Sequence, residues 1–232
     1  MKIGLFGYGK MGRMIEQLAV ERNHQIVAKV DVDTQQIDFQ SIDCAIDFST
    51  PDAAFDNIKS CIDHGVPVVS GTTGWLDQYD EAVAHCKQKN GALIYASNFS
   101  LGVNLFFELN EKLAKMMAPL ENYRVSMEEV HHVHKLDAPS GTAITLAEGI
   151  IENSDYNNWT LGKAKETEIA IKVKRENEVP GTHVVTYKSE VDSIDIKHTA
   201  HNRKGFALGA LIAAEWLVGK TGVFTMRDVL NL

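Results

Sequence analysis

The chain has 232 residues, 44% hydrophobic and 23% charged, with a formal net charge of −8. That size and balance suit one large domain or two modest ones with a real core, and they exclude disorder, collagen or coiled coil as whole-chain answers. The acidic balance argues against a nucleic-acid partner, and no apolar run approaches the ~18 residues of a membrane span.

The first hundred residues alternate two patterns. Short apolar or β-branched runs, Lys2–Phe6, Ile26–Val30, Cys44–Phe48, Val66–Val69 and Ala92–Tyr95, read as strands. Helix-like stretches lie between several of them, at Lys10–Arg22, Asp52–His64 and Leu76–Lys89. Strands alternating with helices predict a parallel sheet covered on both faces. The polar connection from Asp31 to Asp43 barely reaches the length of a parallel crossover and predicts a loop or a single helical turn.

The pattern changes after Asn98. Val103–Met117 reads as a long helix stopped by Pro119, and Tyr123–His131 as an alternating strand. Thr142–Glu152 reads as a helix, residues 153–166 as a polar loop, and Thr167–Val173, His183–Lys188 and Ile194–Thr199 as strands. A run of strands after an α/β half predicts a second α+β domain with a mixed or antiparallel sheet. The last helix, Phe206–Val218, is expected to return to the first domain. The expected division is therefore 1–102 for the α/β domain, 103–203 for the second domain, and 204–232 for the return. Cys44, Cys61 and Cys86 are sparse, odd in number and without a C-x-x-C spacing, which reads as free thiols in a reducing cytoplasm.

Gly7-Tyr8-Gly9-Lys10-Met11-Gly12 is G-x-G-x-x-G, following a strand and opening a helix. The first glycine permits the tight turn, the second lets a pyrophosphate approach the backbone, and the third lets helix and strand pack closely. The helix N-terminus offers unpaired N–H groups to the phosphates. Asp31 stands where a carboxylate for the adenosine ribose is expected, and Val32 follows it without a cation for a 2′-phosphate. NADH is therefore favoured over NADPH, with Lys10 and Arg13 left as groups that could reach a phosphate. Gly71-Thr72-Thr73-Gly74 and Ala96-Ser97-Asn98-Phe99 follow two other strands, where open α/β sheets bind ligands. A glycine-rich turn with no ligand is the competing reading.

The densest polar cluster runs from Glu128 to Ala143 and holds three of the nine histidines within four positions. One reading is a metal site from His132, His134 and Asp137, which is short of ligands; a second is a solvated strand. The reading that uses most residues is an acid/base and anion-binding site. Ser140, Gly141 and Thr142 open a helix whose N–H groups suit a carboxylate. Lys135 adds a cation, and His131 or His132 a proton donor near neutral pH. Beside a nicotinamide, such a group suits a reducible C=N or C=C bond conjugated to a carboxylate.

The stretch Glu129-Val130-His131-His132-Val133-His134-Lys135-Leu136-Asp137-Ala138-Pro139-Ser140-Gly141-Thr142-Ala143 resembles the signature of the dihydrodipicolinate reductase family, also called 4-hydroxy-tetrahydrodipicolinate reductases. Gly7–Gly12, Asp47-Phe48-Ser49, Gly71–Gly74, Ser97–Gly102, Arg203–Ala210 and Gly222–Leu230 resemble other segments of the family in the same order. The resemblance implies a Rossmann-type doubly wound domain plus a mixed-sheet substrate domain, and a homotetramer built through the second. It implies NAD(P)H-dependent reduction of a cyclic dicarboxylate imine to tetrahydrodipicolinate, in lysine and diaminopimelate synthesis, with no metal. His131 would be the proton donor, and Lys135 a second donor and carboxylate contact. His132, Ser140, Gly141 and Thr142 would bind the substrate's carboxylates, with Arg203 near the mouth. Gly7–Gly12, Asp31, Gly71–Thr73 and Ala96–Phe99 would hold the cofactor. Two other readings stay open: a nicotinamide-sensing module without chemistry, and a metal-dependent hydrolase built on His132, His134 and Asp137.

Overall fold

The computed structural model describes every residue except Asp33 and Gln35. The chain divides into two compact units, Met1–Leu101 with Lys204–Leu232, and Gly102–Arg203.

The first unit opens with β1 (Lys2–Phe6), α1 (Lys10–Glu21), β2 (Gln25–Val30), β3 (Cys44–Asp47) and α2 (Pro51–Asp63). It continues through β4 (Val68–Ser70), α3 (Tyr79–Gln88) and β5 (Ala92–Tyr95). Every pairing in its six-stranded sheet is parallel, and five of the strands are those that the apolar runs predict. One face packs Ile3, Leu5, Ile46, Val69 and Ile94 against Ile15 and Ala19 of α1. The other packs Phe6, Ala45, Val68 and Leu93 against Ala54, Ile58 and Cys61 of α2 and Ala82 and Cys86 of α3. Two-sided burial is why these strands read as continuous apolar runs rather than alternating ones.

The chain leaves this unit along α4 (Leu101–Met117) and returns as α6 (Lys204–Leu217), so α6 shares the face of the sheet that α1 covers. Alanines 207, 210, 213 and 214 let that helix lie close, and at Gly209 any Cβ would overlap the carbonyl of Phe99. The last segment adds β11 (Gly222–Phe224), paired with β5, and α7 (Met226–Leu230). A three-residue strand carries no readable period, so the sequence names five strands here where the sheet has six. Between β2 and β3, a single 3-10 turn at Phe39–Ser41 is capped by Asp38, which accepts from the Gln40 amide. That is the single turn expected for the short connection.

The second unit contains β6 (Arg124–His131), α5 (Gly141–Ile151), β7 (Asn158–Leu161), β8 (Glu168–Arg175), β9 (Gly181–Lys188) and β10 (Ser193–Ala200). Its sheet runs β10-β9-β6-β8-β7 and is mixed: β9 is antiparallel to β6 and β10, while β8 is parallel to β6 and β7. The loop expected over 153–166 is corrected by β7. This edge strand pairs on one side only and sends just Trp159 to the core, too little for a strand pattern in a polar stretch. One face of the sheet is apolar, where Val125, Met127, Ile169, Ile171, Val185 and Tyr187 meet Phe106 and Ala114 of α4 and Leu146, Ala147 and Ile150 of α5.

Candidate functional site

The first unit gathers one group of named residues on a single rim, at the C-terminal ends of the parallel strands. Gly7 has φ +87°, and a Cβ there would collide with the Phe48 carbonyl. A Cβ on Gly12 would collide with the carbonyl of Gly7, while Gly9 faces open space. Gly9 is also the N-cap of α1, with no side-chain cap and no acidic residue in the first turn. The positive end of the helix is therefore left without a protein partner, and backbone can approach an anion there. Lys10 is exposed and Met11 half-buried beside it. These features fit a dinucleotide pyrophosphate.

Asp31 is exposed at the end of β2, and its Oδ1 accepts from the Val32 amide at 2.9 Å. Tyr8 donates to Glu16, which also pairs with Lys29 at 2.7 Å, and Lys29 lies 4.5 Å above the Tyr8 ring. The basic group nearest Tyr8 is thus already neutralised by an internal carboxylate. Gly71, Thr73, Ala96, Ser97 and Asn98 are exposed or half-buried on the rim loops. Thr72 and Phe99 differ: both side chains are buried, Thr72 bound to Asp47 and Phe99 packed at 6.0 Å from the Phe48 ring. What these two can offer a ligand is backbone.

Asp47, which the sequence reading assigned no role, organises that rim. Its fully buried carboxylate accepts from the hydroxyls of Ser49 (2.6 Å), Ser70 (2.9 Å) and Thr72 (2.7 Å) and from the Asn57 amide (3.1 Å). Thr72 Oγ1 in turn accepts from the Ser49 amide at 2.9 Å, tying the loops after β3 and β4 together. A carboxylate inside an apolar strand is the signal that would have found it.

The second unit holds the other group. Alternation along β6 sends Val125, Met127, Glu129 and His131 to the buried face, so an apolar row ends in two ionisable groups. Sheet register then places His183 of β9 opposite Glu129, and Arg175 of β8 opposite His131. Glu129 Oε1 accepts from both terminal nitrogens of Arg175 at 3.2 Å, and Oε2 accepts from the Ser140 amide at 2.9 Å. Oε2 also lies 3.8 Å from His131 Nδ1 and 3.7 Å from His183 Nε2. Burial works to raise the Glu129 carboxyl, but His183, Ser140 and His131 together outweigh it and hold the group at about 2. Burial, followed by the neighbouring His183, lowers His131 to about 4 against the pull of Glu129; Lys135 and Arg175 add to the fall. At neutral pH the cluster therefore contains an ionised carboxylate and a neutral His131.

Ser140 caps α5, its Oγ accepting from the Ala143 amide at 3.2 Å. Gly141 is exposed, and no atom lies within 4 Å of the Cβ it lacks, so the first turn of α5 is open to an anion. Thr142 and His132 are half-buried, and Arg203 is exposed. Lys135 Nζ meets Asp137 at 2.8 Å, and this lysine lowers the Asp137 carboxyl.

The metal reading of the sequence is corrected here. β6 ends at His131, so His132 and His134 lie on the turn that follows rather than on the strand. His134 pairs with Glu178 at 3.2 Å and Asp137 with Lys135. Glu129, His131 and His183 do bring ligand-type atoms within 4.8 Å of one another. There the Arg175 guanidinium and the Ser140 amide already hold the carboxylate, and the guanidinium's charge opposes a cation. Neither His183 nor Arg175 was named from sequence. His183 sits on an inward row with Val185 and Tyr187, and that misplaced polarity was the available signal.

Family models described as the N-terminus and C-terminus of dihydrodipicolinate reductase match residues 1–99 and 102–230. The chain belongs to the dihydrodipicolinate reductase family. It is 59% identical over 234 residues to the 4-hydroxy-tetrahydrodipicolinate reductase of Christiangramia forsetii, covering 100% of this chain and 98% of that protein. In fold it resembles the dipicolinate-bound dihydrodipicolinate reductase of Paenisporosarcina sp. TG-14, with a TM-score of 0.78 at 21% identity over 98% of each chain. A probable dehydrogenase from Thermotoga maritima shares the fold at a TM-score of 0.60 and 10% identity, covering 99% of this chain and 92% of that one. Membership of a reductase family leaves the sensor and hydrolase readings without support.

Proposed function

We propose that this chain reduces 4-hydroxy-tetrahydrodipicolinate, or the dihydrodipicolinate formed by its dehydration, to tetrahydrodipicolinate in lysine and diaminopimelate synthesis, using NADH or NADPH. The observation that carries the reading is the buried Glu129, His131 and His183 cluster, held by the half-buried Arg175 beside the open N-terminus of α5, in a chain 59% identical to a reductase of that name.

When bound, a reduced nicotinamide supplies hydride. The amides of Gly7–Gly12 hold the pyrophosphate, Asp31 accepts the ribose hydroxyls, and the loops at Gly71–Thr73 and Ala96–Phe99 line the nicotinamide side. The first turn of α5, with Gly141, Thr142 and the Ser140 cap, receives a substrate carboxylate, assisted by His132. Lys135 takes a carboxylate in exchange for Asp137, serves as a second proton donor, and Arg203 guards the mouth. His131 delivers the proton that accompanies the hydride. Because His131 is neutral in the free protein, a bound dianion must raise it, so proton uptake accompanies substrate binding.

NADH is the preferred cofactor. Val32 after Asp31 offers no cation to a 2′-phosphate, and Glu16 already occupies Lys29. Four copies assemble through the face of the second sheet opposite its core. That face carries Ser126, Glu128, Ala170, Lys172 and Thr186 around a cavity of about 1000 Å³. The place of work is the cytoplasm: the three cysteines are free and buried, and among the described residues no helix is long and apolar enough to cross a membrane.

The test is NADH and NADPH oxidation at 340 nm with substrate made in situ from pyruvate and aspartate semialdehyde by the preceding synthase. Fast, synthase-dependent oxidation, greater with NADH, is expected. No oxidation by folded protein overturns the reading. Light scattering checks the assembly, which should weigh four chains.

A further inference from the structure

The proton donor of the second unit does not stand alone. The ring of His183 lies 5.0 Å from that of His131 at 71°, and its Nε2 is 3.0 Å from Ser140 Oγ. Both imidazoles face the same oxygen, Glu129 Oε2, because Arg175 holds the other. All three residues are buried, with His131 7% and His183 5% exposed.

We propose that His183 is a positioning residue of the reductive step: with Glu129 and Ser140 it forms a buried support that fixes the ring of His131 and sets how readily that ring takes up a proton. The proposal rests on the reductase reading above and adds to it a residue and a role.

The geometry assigns the two ring nitrogens of His131. Nδ1 is buried, has no hydrogen-bond partner, and points toward Glu129 at 3.8 Å. A small movement turns that separation into a charge-assisted hydrogen bond once the ring is protonated. Nε2 lies beside Gly181, where a Cβ would sit 3.1 Å away, so glycine keeps that nitrogen clear. Nδ1 therefore keeps its hydrogen toward Glu129, while Nε2 gains and delivers the reacting proton, the division of labour of a carboxylate-oriented histidine.

His183 has two effects here. Through Ser140 it ties the donor to the cap of α5, so the anion site and the proton donor share one frame. As a second imidazole on the same carboxylate oxygen, it opposes a proton on His131 by like charge. The charged and titratable groups around His131 are Glu129 on its own strand, His183 on β9, Arg175 on β8, and Lys135, with its partner Asp137, on the loop after β6. Glu129 alone favours the charged ring.

The two supports therefore act with opposite signs, which a purely structural role does not produce. Imidazole resonances of the free protein, followed by NMR against pH, read this without turnover. In Glu129→Gln the midpoint of His131 should fall further. In His183→Asn, which keeps a hydrogen-bonding group beside Ser140, it should rise. The alkaline limb of kcat should move in the same two directions, with kcat itself reduced ~10²-fold in Glu129→Gln and ~10-fold in His183→Asn, and NADH affinity unchanged in both. If Glu129→Gln does not fold, His183→Asn and the wild-type tautomer decide: the neutral ring must carry its hydrogen on Nδ1, and Nε2 must be the nitrogen that gains the proton. Midpoints that stay fixed or move in one direction overturn the proposal and leave the reductase reading intact. Failure of the wild-type protein to oxidise NADH overturns the reading without touching the titration.

Discussion

Among the described residues each unit buries one carboxylate completely, Asp47 in the first and Glu129 in the second, and the two are satisfied in different ways. Asp47 receives three hydroxyls and a side-chain amide, groups that keep their charge state across the working pH range. Glu129 receives a guanidinium and a backbone amide and faces two imidazoles. The first arrangement locks two rim loops and has no proton to move. The second places an anion where a proton comes and goes. Burial alone therefore does not mark a reacting group; the nature of the partners does.

The largest effect is expected from removing the Glu129 carboxylate and leaving Arg175 without its partner. Glu129→Ala should destabilise the second unit by roughly 3 kcal/mol, the low end for an uncompensated buried charge, because the Arg175 side chain keeps 20% of its exposure. Urea denaturation checks this, and a loss within error of zero means that Arg175 finds water. Asp47→Ala should cost less, about 2 kcal/mol, since freed hydroxyls can turn to other acceptors. It should also weaken NADH binding in a fluorescence titration, because Thr72 loses its anchor.

Acid acts on Glu129 and His131 over different ranges. Glu129 stays ionised in the fold down to about 2, against 4.5 when unfolded. Its contribution is complete above 4.5 and disappears as pH falls toward 2. His131 accepts a proton in the fold only near 4, against 6.5 when unfolded. Its neutral ring stabilises the fold above 6.5, and that stability is lost between 6.5 and 4. Tm should therefore begin to fall below pH 6.5, and His131→Gln should shrink that first loss, the remainder coming from His198, which burial also lowers. An unchanged Tm profile in that variant contradicts the assignment. The smallest effect is Ser140→Ala, about 1 kcal/mol for a lost helix cap, read by thermal melting.

Much of this was legible in the sequence where a local pattern and a local need coincide. The apolar runs of the first sheet follow from two-sided burial, and the spacing of Gly7, Gly9 and Gly12 follows from a turn, an approach and a packing contact. The stretch from His131 to Thr142 raised the expectation of an anion site because donors and a helix start are adjacent in the chain. What stayed hidden was produced by register. Glu129 meets His183 and Arg175 only because β6 pairs with β9 and β8 at those positions, some fifty residues apart in sequence. The same holds for Asp47, whose partners come from two loops, the end of β4 and α2. The short strands β7 and β11 escaped because each is held by a neighbour more than by its own pattern.

His131→Gln asks whether the second unit's titratable cluster performs the chemistry while the first unit's rim holds the cofactor. Turnover at saturating NADH, with synthase-supplied substrate, should fall ~10²-fold or more while the NADH dissociation constant stays at the wild-type value. Turnover equal to wild type contradicts the claim, as does a loss that arises wholly from weaker NADH binding.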